Sequence, residues 1–194
     1  TIHTGGVGNS AGQLKFSPDG SRLALAQFNI PSMVEIFDFD TSTGVVSNPI
    51  TISNIFRNSF GDGAFGVEFS PNGQVLYVTD TPDSVNGDTI FFQFDLSSND
   101  ANTITNTRFE FVENNFIGSL QLGPDGKIYG SPNAQNYLSV VNNPDVLGAG
   151  MNFQTNGVSL STQTARFGLP QFVQSLFSND SSDVVMQDGT FNQC

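Results

Sequence analysis

One short motif recurs three times at a constant spacing of 53 residues. It reads FSPDG at 16–20, FSPNG at 69–73 and LGPDG at 122–126. Ser17, Ser70 and Gly123 therefore hold equivalent positions in three successive units. A fixed period of this length is typical of repeat architectures, in which one supersecondary unit is copied along the chain.

The motif itself predicts a tight turn between two antiparallel strands. Proline fixes φ at the first central position, Asp or Asn tolerates the next position, and glycine takes a positive φ at the end. The turn residues are Pro18, Gly20, Pro71, Gly73, Pro124 and Gly126. Before each turn, apolar residues alternate with one polar residue, which is Lys15, Glu68 or Gln121. This alternation predicts a half-buried strand, so the motif favours a structural hairpin over a catalytic loop.

Two further strands follow each hairpin. The third strands are predicted at 33–40, 89–96 and 137–144, and the weaker fourth strands at 45–52, 104–112 and 157–163. Four strands per unit of about 50 residues indicate a propeller blade. The predicted fold is all-β, a β-propeller with about four four-stranded antiparallel blades in residues 1–177. The repeat units lie near 12–64, 65–117 and 118–177, and an irregular tail or linker occupies 178–194.

The length of the chain constrains the ring. The 194 residues hold between three and four units, whereas propellers usually have four to eight blades. The start at Thr1 and the irregular tail favour a fragment of a larger ring over a closed ring of four blades. The number of blades in such a ring is not set by these residues.

Charge excludes some classes of partner. Six Lys and Arg oppose 18 Asp and Glu, which gives a formal net charge of −12. Such a surface repels phosphate backbones and anionic membrane leaflets, so no nucleic-acid partner is expected. No apolar run is long enough for a membrane span, so no membrane insertion is expected. Only 12% of the residues are charged, which favours an extracellular protein.

Several longer strings resemble one protein family. They are TIHTGG at 1–6, LKFSPDGSRLALA at 14–26, VEIFDFDTSTGVVSNPITI at 34–52, GVEFSPNGQVLYVTD at 66–80, FQFDLSS at 92–98, LQLGPDGKIYGSPN at 120–133 and GLPQFVQSLF at 168–177. The chain resembles the propeller-type module, related to WD40 and YVTN propellers, of large secreted Bacteroidetes proteins. Those proteins are described as gliding-motility-associated and are substrates of the type IX secretion system. The resemblance implies that this stretch is the C-terminal part of a larger ring. It also implies an extracellular or cell-surface location, and blades or domains of the same protein as partners.

Two functions follow as hypotheses. The first is a non-catalytic binding, adhesion or scaffolding module that contacts surface glycans or proteins. The alternative is part of a polysaccharide- or peptide-processing hydrolase or lyase whose catalytic groups lie in absent blades. The sequence has one histidine, His3, and no G-x-S-x-G motif. No catalytic residue and no cofactor are therefore assigned, and the chain is expected not to be an enzyme.

Two local patterns are candidate sites for a ligand or a modification. Asp80, Asp83, Asn86 and Asp88 place hard oxygen ligands in one loop, a composition that suits calcium. Ser84 and Thr89 lie in Asp-Ser/Thr-apolar triplets that resemble Bacteroidetes O-glycosylation sites.

Phenylalanines in strand phase are predicted to be core residues, and they are Phe16, Phe37, Phe39, Phe69, Phe92 and Phe94. Phe56, Phe60 and Phe116 lie in connections between blades, as exposed contact residues or as plugs.

Overall fold

The computed structural model describes residues 11–170. Residues 1–10 and 171–194 are outside this part, and with them His3, the predicted tail at 178–194 and the ends of the predicted propeller region 1–177. No helix within residues 11–170 is long and apolar enough to cross a membrane.

The described residues form three four-stranded antiparallel sheets, each built from consecutive strands. The first sheet contains β1 (Leu14–Phe16), β2 (Arg22–Gln27), β3 (Met33–Asp40) and β4 (Val45–Ser53). The second contains β5 (Gly63–Phe69), β6 (Val75–Thr81), β7 (Thr89–Asp95) and β8 (Phe109–Glu113). The third contains β9 (Ile117–Leu122), β10 (Ile128–Pro132), β11 (Tyr137–Val141) and β12 (Phe153–Ser159). The architecture is an open set of three propeller blades.

Each copy of the repeated motif closes the hairpin between the first two strands of a sheet. The last glycines of the three motifs have φ of 73°, 70° and 76°. Their amides donate to the carbonyl oxygens of Ser17, Ser70 and Gly123, respectively. The third hairpin is one residue shorter than the others, because Gly123 N donates to the carbonyl oxygen of Lys127, whereas Ser17 N donates to that of Arg22.

The core consists of two apolar layers, one on each side of the middle sheet. Between the first and second sheets, Phe69, Phe92 and Phe94 pack against aliphatic residues of β2, β3 and β4. Between the second and third sheets, Tyr77 and Phe91 pack against β9, β10 and β11. The large aromatic side chains of the middle blade therefore hold both neighbours.

The outer face of the first sheet is uncovered at its innermost strand. Leu14 is 52% exposed and Phe16 is 45% exposed, whereas their equivalents in the second blade, Val67 and Phe69, are fully buried. The prediction that Phe16 is a core residue is therefore wrong for the described structure, because no described blade precedes the first one. Residues 11–170 contain three of the blades expected in residues 1–177.

Two local predictions need correction. The segment predicted as a strand at 104–112 begins instead as a helix, α1 (Ala101–Asn106), and only then enters β8. Asp100 caps this helix, because its side chain accepts a hydrogen bond from the amide of Thr103. The fourth strand of the third blade also ends earlier than predicted, at Ser159.

A substitution at Gly66 tests how closely the second and third blades pack. A methyl group there would collide with the carbonyl oxygen of Gly118, which belongs to the backbone of the neighbouring blade. We expect Gly66→Ala to reduce the free energy of unfolding by about 2–4 kcal/mol, as overpacked core sites do. The matched control, Gly73→Ala, has free space but a positive φ of 70°, and should cost only about 1 kcal/mol. Urea unfolding measures both, and equal losses would contradict this packing.

Candidate functional site

The first strands of the three blades are joined by buried polar side chains. Lys15, Glu68 and Gln121 hold equivalent repeat positions, and each is at most 6% exposed. The Nζ atom of Lys15 lies 3.1 Å from Oε2 of Glu68 and donates to Oε1 of Gln121 at 2.6 Å. We call this group the axial contact. It links all three blades through one ammonium group.

Backbone groups complete the hydrogen bonds of the axial contact. Glu68 accepts from the amides of Phe69, at 3.0 Å, and of Leu122, at 2.9 Å. Gln13 lies two residues before Lys15, and its Oε1 atom accepts hydrogen bonds from the amides of Val67 and Leu120. Buried charges are tolerated when they are paired and hydrogen-bonded in this way. The axial side chains therefore serve to join strands.

Sequence reasoning missed this contact. A single polar residue between two apolar ones predicts a strand whose polar side faces water, and this pattern places Lys15 on that side. The available signal was that Lys15, Glu68 and Gln121 occupy one repeat position and are chemically complementary. Side chains at one position of adjacent blades meet when the first strands lie side by side.

Three loops are held together at one end of the first two blades. They are residues 28–32, 54–62 and 82–88, and we call them the loop surface. Asn29 N donates to the carbonyl oxygen of Asp62 at 3.0 Å, and the amide of Ser32 donates to Oδ1 of Asn58 at 2.8 Å. Ser32 Oγ in turn accepts from the amide of Ala64 at 2.9 Å. These bonds fix the loop 54–62 to the first blade.

Arg57 fixes the same loop to the second blade. Its backbone amide donates to Oδ2 of Asp80 at 3.0 Å, and its guanidinium donates to the carbonyl oxygens of Asp80, at 2.6 Å, and Asp88, at 3.0 Å. Asp80 is fully buried, and its Oδ1 atom has no hydrogen-bond partner. Burial is the main reason why the pKa of Asp80 is raised to about 6; the amide and charge of Arg57 oppose this rise, and the nearby charge of Asp62 adds to it.

The loop surface exposes one aromatic ring. Phe60 is 87% exposed, whereas Phe56 and Phe116 are 7% and 8% exposed. The ring of Phe56 packs edge-on against Phe92 at 5.2 Å between centroids, and Phe116 packs against Phe167 at 5.3 Å. Of the three phenylalanines in the connections, Phe60 is therefore exposed and the other two are packed.

The four predicted calcium ligands lie in different surroundings. Asp80 is buried against Arg57, whereas Asp83, Asn86 and Asp88 are exposed. Within residues 11–170, no three acidic, histidine or cysteine side chains converge as metal ligands would. Asp80 belongs to strand β6 and accepts a hydrogen bond from the backbone amide of Arg57, and calcium binding by the loop stays a prediction.

The two predicted glycosylation sites differ in accessibility. Thr89 is fully buried, and its Oγ1 accepts a hydrogen bond from the amide of Ile117 at 2.8 Å. A glycan has no room there, so the prediction for Thr89 is wrong. Ser84 is exposed in the loop 82–88, and its modification stays a prediction.

Comparison with known proteins supports the fold. No protein-family model matches the chain, and no curated protein matches it. A crystal structure of a candidate 6-phosphogluconolactonase from Bacteroides fragilis is similar, with 13% identity over 86% of this chain and 46% of that chain and a TM-score of 0.50. A second candidate 6-phosphogluconolactonase, from Bacteroides uniformis, has 15% identity over 79% and 42% of the two chains and a TM-score of 0.47.

A third similar structure is the β-propeller domain of Cps50 (Swd1) from Myceliophteria thermophila. It has 16% identity over 73% of this chain and 38% of that chain, with a TM-score of 0.40. The chain spans less than half the length of each of these three structures. At such identities the likeness concerns the fold alone.

Asp80 makes stability depend on pH. Its pKa is about 6 in the folded chain against an ordinary value of 3.8, so the folded state holds a proton that the unfolded state has released between these pH values. Stability should fall as pH rises through this window, by up to about 2–3 kcal/mol. Asp80→Asn should remove that fall and be more stable than the wild type at pH 7.5.

Urea unfolding at pH 4.5, 6 and 7.5 checks this expectation. Asp88→Asn is the matched control, since Asp88 is exposed and its link to Arg57 runs through the backbone carbonyl. A wild-type stability that is flat over this range, or a control that behaves like Asp80→Asn, would show that Asp80 is not the group responsible.

Proposed function

We propose that this chain is a non-catalytic recognition and scaffolding module of a secreted or cell-surface protein. The blades form a rigid support, and the loop surface makes the contact with a surface protein or glycan. In many folds, binding residues lie on loops that a rigid scaffold holds in position. The resemblance to secreted Bacteroidetes propeller modules supports the location.

The exposure of Phe60 is the observation that carries the proposal. An aromatic ring that is 87% exposed leaves apolar surface in water, which docking against a partner would remove. The loop that bears it is fixed by hydrogen bonds to both adjacent blades. A pre-organised aromatic side chain loses little conformational entropy on binding, and aromatic residues are frequent anchors at interfaces.

The uncovered face of the first sheet supports the scaffolding role. Leu14 and Phe16 have equivalents, Val67 and Phe69, that the preceding blade covers completely. We propose that a further blade of the same protein covers this face. Other blades or domains of one protein are thus partners of this module, beside the partner of the loop surface.

The enzymatic alternative stays a prediction. It places catalytic groups in blades outside this chain, and the likeness to candidate 6-phosphogluconolactonases extends to the fold at 13% and 15% identity. The axial side chains, which line the position where the three blades meet, are engaged with one another. Their engagement supports a structural role for the centre of this segment.

A binding experiment with two variants tests the proposal. The purified chain is measured by biolayer interferometry against immobilised bacterial and host surface proteins and glycans. We expect Phe60→Ala to weaken binding at least tenfold, the effect of losing an interface anchor of about 1.4 kcal/mol or more. The control Val112→Ala removes an apolar side chain that is 59% exposed on β8 and should leave binding unchanged.

Two outcomes would contradict the proposal. Equal binding by Phe60→Ala and the wild type would remove the role of the loop surface. Turnover of a polysaccharide or peptide substrate by the chain alone would contradict its non-catalytic nature.

A further inference from the structure

We infer that the loop surface recognises a protein segment that presents arginine side chains beside apolar ones. This inference rests on the function proposed above and adds the chemical class of the partner. The observations behind it are the charged residues of the loop surface and the hydrogen bonds that the Arg57 side chain makes.

The loop surface carries an excess of negative charge. Its carboxylates are Asp62, Asp83 and Asp88, and its one cation is Arg57. The guanidinium of Arg57 is directed to the backbone carbonyl oxygens of Asp80 and Asp88. Arg57 therefore connects the loops 54–62 and 82–88 through backbone carbonyl oxygens. The carboxylates of Asp83 and Asp88 are exposed to solvent on the same loop surface as Phe60.

A carboxylate lies against the tip of the loop that carries the exposed ring. Gly61 follows Phe60 directly, and a methyl group added at Gly61 would collide with the carboxylate of Asp83. The side chain of Asp83 thus packs against the tip of the loop that carries Phe60. The loop tip thus carries both groups that a guanidinium uses, because a guanidinium stacks on an aromatic face and pairs with a carboxylate through its planar fork.

Arginine fits this site better than other partner groups do. Phosphate-bearing polymers and acidic glycans are repelled by the three carboxylates and by the net charge of −12 of the whole chain. A neutral glycan would use the ring and leave the acids without a counter-charge. A lysine ammonium would pair with Asp83 as a point charge, without the planar stacking surface that arginine offers to Phe60. Electrostatic complementarity also speeds the encounter with a basic segment.

Selection from a random peptide library tests the inference. Phage-displayed peptides are panned against the purified chain, and enriched peptides are synthesised and measured by fluorescence anisotropy at low and high salt. We expect enriched sequences to contain arginine next to apolar residues. Phe60→Ala should weaken their binding at least tenfold, and Asp83→Asn should weaken it about three- to tenfold and reduce its dependence on salt.

Two controls separate the site from general electrostatics. Val112→Ala and Glu110→Gln change an apolar and an acidic side chain on β8, which are 59% and 50% exposed, and both should bind the peptides like the wild type. Circular dichroism of each variant verifies the fold, and Phe60→Ala removes a ring that is almost entirely in water. A control that weakens binding as much as Asp83→Asn would overturn the inference.

The remaining outcomes distinguish the inference from the proposed function. Binding that depends on Phe60 but comes from peptides without arginine, or that is unaffected by Asp83→Asn, overturns the inference and leaves the loop surface as a recognition site. Binding of a neutral glycan through Phe60, measured on a glycan array, has the same meaning. A panel of selected peptides that is indifferent to Phe60→Ala, or a library that yields none, overturns the inference. Equal binding by Phe60→Ala and the wild type in the surface binding assay removes the proposed function as well.

Discussion

The buried contact between Lys15, Glu68 and Gln121 is the constraint on which the arrangement of the three blades depends. Each residue sits at the same position of its repeat, and a single ammonium group joins the first strand of one blade to those of the next two. A slip of one residue in any of these strands would turn the polar side chain into an apolar layer. Because an unpaired buried charge is costly, the contact permits one register only.

The loop surface inherits its rigidity from this arrangement. The apolar layers on both sides of the middle sheet bring the ends of the first two blades together, so that Arg57 reaches the backbone at Asp80 and Asp88. The loop between the blades then has hydrogen bonds to each of them, and Phe60 is carried outward on a fixed support. The exposure of Phe60 at this end of the molecule is thus a consequence of how the blades stack.

The sequence predicted the local structure well and the contacts between blades poorly. Hairpin turns and most strands follow from Pro, Gly and the alternation of apolar residues, which are local signals. The burial of Lys15 and the exposure of Leu14 and Phe16 depend instead on which blade lies beside a strand, which no local pattern contains. Thr89 looked like a surface residue for the same reason, although Ile117 of the next blade covers its hydroxyl. Helix α1 was missed because six residues give too short a helical pattern.

A double-mutant cycle between Lys15 and Glu68 tests the central claim most directly. Lys15→Met, Glu68→Gln and the double variant are unfolded in urea, and their free energies of unfolding are compared with that of the wild type. If the buried contact joins the blades, the chain unfolds in a single cooperative transition. We expect a coupling energy between Lys15 and Glu68 above about 1 kcal/mol, as for side chains in one buried network. Effects that add within about 0.5 kcal/mol, or separate transitions for the blades, would contradict it.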